Sequence, residues 1–356
     1  MDRRPRVVLS RYLPDRLITR ITNSCPWADI IAEPNAMLPP TGRVGLLYAS
    51  SDRAWELDSD PELSELAWRR LLPDTDVLFD LHPSAVDLLP ADGRIAFIQS
   101  LAAGAGELLH DERVHRAGIP ICTARGVHDD GLADFTLAAI LAHAKRLGEL
   151  EQNKRRRSWV ESEGRRLRGT TMLVVGLGSI GKAIARRATA FGIVVRGVQR
   201  RPRACDEVES THSLDELDGL LGDADWVVDV LPASPDTRWI FDSERFSRFR
   251  TGAYFVNIGR GSTVDELALC RALASGVLGG AALDAYEEEP LGPSSPLWDA
   301  PNLVISPHSS ALIPGSVDRI VDLFIDNLRR HHEGRPLRNL ASPLGHANLS
   351  EEPSHG

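Results

Sequence analysis

Lysine is nearly missing from this chain: only Lys145, Lys154 and Lys182 occur, and the other 38 of the 41 cationic residues are arginine. An isolated Arg-Arg pair therefore carries little information, and a basic cluster counts only where a motif supports it. Positive charge is also short overall. The formal net charge is -9, which argues against a nucleic-acid-binding surface, since that needs a concentrated basic face. Small anions are not excluded, because a few placed arginines bind them locally. Cysteine is scarce too. Cys25, Cys122, Cys205 and Cys270 lie far apart and form no metal-ligand spacing, so free thiols and no metal are expected. The longest apolar stretch, near 137–142, falls far short of the ~20 residues of a membrane span. The opening Met1-Asp2-Arg3-Arg4-Pro5-Arg6 does not read as a secretory signal. A cytoplasmic protein is expected, with no membrane and no nucleic-acid partner.

What is present is a globular composition, 42% hydrophobic and 26% charged over 356 residues, long enough for two domains. The first third alternates strand-like runs (7–9, 77–79, 95–98) with polar or helical pieces such as Pro61 to Leu72, which predicts an α/β unit with a mostly parallel sheet. The Pro- and Gly-rich stretch 34–45 reads as a surface loop. Apolar spacing predicts a helix over 132–147, and the charged run 149–168 reads as its solvated end. A second series of strands follows, at 172–175, 193–198, 226–230, 253–256, 281–283 and 303–305, with helices between most of them. That alternation predicts a doubly wound parallel sheet. A last helix is expected over 314–332, then a weakly ordered polar tail, 341–356.

Gly176-Leu177-Gly178-Ser179-Ile180-Gly181 fits G-x-G-x-x-G, follows a strand and opens a helix, the context in which this pattern binds a dinucleotide. Gly176 permits the tight turn, Gly178 leaves room for a pyrophosphate, and Gly181 lets helix and strand pack closely. The N–H groups at the helix start, with the helix dipole, favour the diphosphate. An NAD site would place an acid at the end of the second strand, to accept from the adenosine ribose. Val198 is followed instead by Gln199-Arg200-Arg201-Pro202-Arg203. Without a carboxylate there is no repulsion against a 2′-phosphate, so NADP is the preferred cofactor, with NAD as the alternative.

Three further segments stand at the carboxyl ends of predicted parallel strands, where open α/β sheets bind ligands. They are Asn257-Ile258-Gly259-Arg260-Gly261, the segment Asp284 to Pro290, and Ser306-Pro307-His308-Ser309-Ser310. Their chemistry suits reduction of a 2-oxo acid. A fixed guanidinium, Arg260, binds a carboxylate and polarises the C2 carbonyl. His308 supplies a proton near neutral pH, and a carboxylate paired with it favours its charged form.

In order and spacing, the glycine fingerprint, N-x-x-R-G, D-x-x-x-x-E-P and P-H segments resemble the D-isomer-specific 2-hydroxyacid dehydrogenase family, over about 99–311, and most closely its glyoxylate/hydroxypyruvate reductase-like branch. The resemblance implies a Rossmann-type domain, 126–308, inserted in a flavodoxin-like α/β substrate domain built from 1–125 and 309–340. It implies hydride transfer between a nicotinamide and C2 of a small 2-oxo/2-hydroxy acid, and a homodimer. It matches Glu289, immediately before Pro290, to the carboxylate paired with His308, leaving Glu287 and Glu288 as solvated neighbours, and it places Asp284 beside the nicotinamide carboxamide and Leu231, Pro232, Thr237 and Ile258 in the cofactor surroundings. The turn 101–106 matches the segment whose N–H groups hold the substrate carboxylate, here Ala103 and Gly104. The family often has Asp shortly after that turn, where Glu107-Leu108 stands instead. Glu289 speaks against formate dehydrogenases, which carry glutamine there, and Ala103 against phosphite dehydrogenase, which carries lysine. A non-catalytic dinucleotide-sensing regulator of the same fold, as among the C-terminal-binding corepressors, is the other reading. Turnover separates the two.

Overall fold

Apolar runs alternating with helical stretches fold into two separate sheets. The computed structural model describes residues 3–37, 60–104, 108 and 111–341. Contacts divide the chain into two units, Met1–Val127 with Leu312–Gly356, and His128–Ala311. Ala105, Gly106 and Glu107 of the substrate turn, residues 38–45 of the expected loop, and 342–356 of the expected tail lie outside the described residues.

In the first unit, β1 (Arg6–Leu9), β2 (Asp29–Ile31), β3 (Val77–Phe79), β4 (Phe97–Gln99) and β5 (Ile121–Cys122) pair in parallel in the order β2-β1-β3-β4-β5. This is the flavodoxin-like order. The central strands are buried on both faces, which explains their continuous apolar character. The helix Ser316–His332 returns from the far end of the chain to cover one face, burying Val317, Ile320, Val321 and Phe324 against Val7, Leu9 and Phe79. Asn327 on that helix donates to Gln99 Oε1 at 2.9 Å, and both side chains are fully buried. Leu340–Ala341 then adds antiparallel to β5. Pro34–Ala36, expected as part of a surface loop, forms a 3₁₀ turn that buries Ala36.

The second unit contains β6 (Thr171–Val175), β7 (Val194–Val198), β8 (Ser210–His212), β9 (Trp226–Asp229), β10 (Ala253–Asn257), β11 (Leu278–Leu283) and β12 (Leu303–Ile305), all parallel. Their order is β8-β7-β6-β9-β10-β11-β12. The first three strands run outward one way and the rest the other, so the switch point falls between β6 and β9. Helices Asp129–Ala144 and Ser179–Ala190 pack on one face, with Ala133, Leu137, Ile140, Ala183 and Ile184 in a shared core. Helix Glu266–Ala274 lies in the core on the other face, with Phe241, Phe246 and Phe255. The charged run expected as a helix end behaves differently: helix Leu147–Arg155 stops, and irregular chain carries Trp159, 99% exposed. Among the described residues, no helix is long and apolar enough to cross a membrane.

Candidate active site

The glycine loop sits at the carboxyl end of β6, on the switch point. Gly176 has φ +112, a backbone state that side chains disfavour. A Cβ on Gly181 would stand 2.1 Å from the Gly176 carbonyl oxygen, so the helix can start this close to the loop only with glycine there. A Cβ on Gly178 would meet nothing within 4 Å. The helix opens at Ser179, and no side chain caps its first N–H groups; Ser179 Oγ itself donates to Asp129 Oδ1 at 3.1 Å. Uncapped N–H groups of Ser179, Ile180 and Gly181 beside open space suit a diphosphate.

Two neighbouring segments flank this loop. At the end of β7, Gln199 donates from Nε2 to the Arg203 carbonyl at 3.0 Å, and Arg200 and Arg201 are exposed. No acidic side chain ends this strand. After β9, Leu231 is buried, and Thr237 Oγ1 closes the 231–237 loop by donating to the Pro232 carbonyl at 2.7 Å and accepting from Ser234 N at 2.9 Å. Arg200 lies 3.8 Å from Asp236 across this gap, an exposed pair that itself contributes little.

The next three strands carry the candidate reacting residues. After β10, buried Asn257 bridges its own loop: its side chain accepts from Gly259 N at 2.9 Å and donates to the Arg260 carbonyl at 3.0 Å. Ile258 is buried behind it, and Arg260 Nη1 donates to the Gly259 carbonyl at 2.8 Å. Gly261 presses on the segment after β11; a Cβ there would stand 1.7 Å from the Tyr286 carbonyl carbon. Only glycine allows these two loops to meet.

After β11, Asp284 is almost wholly buried, and its carboxylate faces the segment that follows β12. It accepts from Ser306 Oγ at 2.6 Å, Ser309 N at 2.9 Å, Ser310 N at 3.0 Å and Ser310 Oγ. The resemblance implies a place beside the nicotinamide carboxamide for this residue; the geometry adds that it clamps the loop bearing His308. Tyr286 Oη, within 2.9 Å of the Leu283 and Ser306 carbonyls, ties the same two strand ends together.

His308 Nδ1 lies 3.1 Å from both Glu289 oxygens, so the two residues the sequence could only place in order are joined in space. Glu289 Oε1 also accepts from Tyr286 N at 2.9 Å, which fixes the carboxylate. Nδ1 is thus the ring nitrogen that faces Glu289, and Nε2 lies on the opposite side of the ring. His308 holds φ +53, a left-handed backbone uncommon outside glycine. Glu287 is exposed, as expected of a solvated neighbour, and accepts from Arg238 at 2.8 Å and Trp239 Nε1 at 3.0 Å on the surface.

In the first unit, the turn after β4 is held by Ser100 Oγ accepting from Ala102 N at 3.2 Å and by Ala124 N donating to the Ala102 carbonyl at 2.8 Å. Ala103 and Gly104 follow, partly or fully exposed. Among the described residues, no cluster of His, Cys, Asp or Glu could hold a metal ion.

Sequence reasoning missed Asp229, Thr263 and the serines around Asp284. These positions match no short motif, because their partners come from other strands.

Residues 137–310 match the family model described as "D-isomer specific 2-hydroxyacid dehydrogenase, NAD binding domain". The chain is 31% identical over 288 residues to the glyoxylate reductase of Thermococcus kodakarensis, covering 77% of this chain and 86% of that protein. It is 29% identical over 269 residues to glyoxylate/hydroxypyruvate reductase A of Serratia proteamaculans, covering 73% and 80%. Among solved structures, a D-isomer specific 2-hydroxyacid dehydrogenase family protein from Aeromonas salmonicida superposes with a TM-score of 0.77 at 28% identity, over 96% of this chain and 100% of that one. A D-isomer specific 2-hydroxyacid dehydrogenase from Xanthobacter autotrophicus, in complex with NADPH and MES, gives 0.75 at 25% identity, over 96% and 99%.

Proposed function

Because the chain belongs to the D-isomer specific 2-hydroxyacid dehydrogenase family, we propose that it is an NADP-preferring reductase of small 2-oxo acids such as glyoxylate or hydroxypyruvate. The observation that carries this reading is the His308–Glu289 pair at 3.1 Å, held on adjacent strand ends. The glycine loop 176–181 would hold the cofactor's diphosphate, and a nicotinamide bound there would be the source of hydride for C2. His308 gives its Nε2 proton to the oxygen that becomes the hydroxyl, and Glu289 on Nδ1 keeps the ring oriented and favours its charged form. Arg260 binds the substrate carboxylate and polarises the C2 carbonyl with its planar fork. Ala103 and Gly104 offer backbone N–H groups to the carboxylate. Asp284 works through the 306–310 loop, fixing where His308 stands.

The preference for NADP rests on Gln199 at the end of β7, where a carboxylate would repel a 2′-phosphate, and on exposed Arg200 and Arg201 beside it. NADPH bound to the Xanthobacter relative is consistent with this. We place the enzyme in the cytoplasm, a compartment that suits its four free cysteines. We also infer a homodimer, in which the exposed segment around Trp159 packs on a second copy.

A spectrophotometric screen of glyoxylate, hydroxypyruvate and pyruvate with NADPH and NADH tests the reading. Oxidation of NADPH with a higher kcat/KM than NADH is expected. Equal values, or an NADH preference, would overturn the cofactor assignment. Cofactor binding without oxidation on any 2-oxo acid would favour a dinucleotide sensor instead.

A further inference from the structure

Asp229 ends β9 with 0% exposure. Its Oδ1 accepts from Leu231 N at 2.9 Å, and its Oδ2 lies 2.5 Å from Thr263 Oγ1. The same hydroxyl oxygen lies 2.6 Å from the Arg260 carbonyl oxygen. A threonine hydroxyl has one proton to donate, whereas an ionised carboxylate and a carbonyl only accept. With Asp229 ionised, one of these two short contacts would press oxygen lone pairs together with no proton between them. With a proton on Oδ2, the acid donates to Thr263 and Thr263 donates to Arg260, so both contacts are filled.

We propose that Asp229 is a neutral, protonated acid and a positioning residue, which holds the Arg260 backbone through Thr263 and the start of the 231–237 loop through Leu231. Its register neighbours are Val175 on β6 and Asn257 on β10, neither of them titratable. The charged residue in its hydrogen-bond network is Arg260, which enters through its carbonyl and whose guanidinium is bonded to the Gly259 carbonyl. Burial pushes the Asp229 carboxyl up to about 7, and the hydrogen bonds from Thr263 and Leu231 oppose this only in part. As pH rises past that value, a charged Asp229 captures the Thr263 proton. The Arg260 carbonyl then loses one of its donors and faces a lone pair, keeping the Asn257 amide, and the segment carrying the guanidinium is held less firmly.

The role in activity rests on the reductase reading of Arg260; the proton on Asp229 does not, and the test separates them. In Asp229→Asn, the amide N–H₂ donates to Thr263 and the amide oxygen accepts from Leu231, reproducing the protonated acid at every pH. An unfolded Asp ionises near ~3.9, while the folded group keeps its proton to about 7. Between those values the folded state binds more protons, so wild-type stability falls relative to the variant as pH rises. Thermal unfolding of both unliganded proteins from pH 5 to 8.5 should show the Tm difference, variant minus wild type, widening by several degrees up to pH 7 and constant above. A difference that stays flat overturns the proposal.

In turnover, both proteins keep the alkaline limb that a proton-donating His308 imposes, and wild-type kcat/KM should carry in addition a loss centred near pH 7 that Asp229→Asn lacks. Thr263→Val should lower kcat/KM about tenfold, the size of one lost hydrogen bond, and Thr263→Ser should restore it. The same alkaline loss in wild type and Asp229→Asn overturns the positioning role. A wild type with no turnover sinks the reductase reading alone, and the Tm measurement then decides the protonation by itself.

Discussion

His308 combines an unusual backbone with a fixed ring. Its φ of +53 stores strain that persists only because the 306–310 loop is clamped by Asp284 and Tyr286. Replacing the imidazole should therefore remove proton transfer without unfolding the loop. His308→Ala is expected to lower the rate of 2-oxo acid reduction by about 10²–10⁴-fold with little change in NADPH affinity, read by steady-state kinetics beside a fluorescence titration. A near-normal rate would sink the assignment. The residue types and their order were legible in the sequence, because Arg260, Glu289 and His308 follow strand ends at recognisable spacings. Their support was not. Asp284 meets Ser306, Ser309 and Ser310 from another strand, and Asp229 meets Thr263 across β9 and β10, so no local pattern announces either contact.

Strands and helices followed a similar rule at the scale of elements. β6, β9, β10 and β11 are buried on both faces and show as apolar runs, so they could be read directly. β8, Ser-Thr-His on the sheet edge, and β2, three residues opening with Asp29, lack that signal because an edge strand buries little. The glycine loop was legible because backbone geometry dictates its residues. Gly181→Ala would force a Cβ against the Gly176 carbonyl, a backbone atom that cannot rotate away. Such overpacking is expected to destabilise the protein by about 1–3 kcal/mol. It should also weaken NADPH binding by shifting the loop. Unchanged Tm and unchanged affinity together would show that the helix start is not fixed by this contact.

For the whole molecule, the exposed segment 156–165 is the feature that composition could not foresee, since its charges suggested an ordinary solvated helix end. Trp159 at 99% exposure lines one surface hollow with Leu150 and Val160, also exposed. We assign the contact of the proposed dimer to this apolar surface. Light scattering should give twice the 39.0 kDa chain mass for the wild type, and Trp159→Asp should shift the population toward monomer. A wild type that is monomeric at micromolar concentration would overturn the dimer.

The path of the chain carries a further consequence. The unit 128–311 is written in one continuous stretch, whereas the sheet β2-β1-β3-β4-β5 needs helix Ser316–His332 and its Asn327–Gln99 contact from the other end of the chain. During synthesis, at ~5–20 residues per second, the later-encoded unit can therefore close first. The earlier-encoded sheet waits on the ribosome with the core face around Phe79 and Phe97 uncovered until residues 316–332 emerge. In that interval the earlier-made sheet, and not the later unit, is the segment open to chaperones.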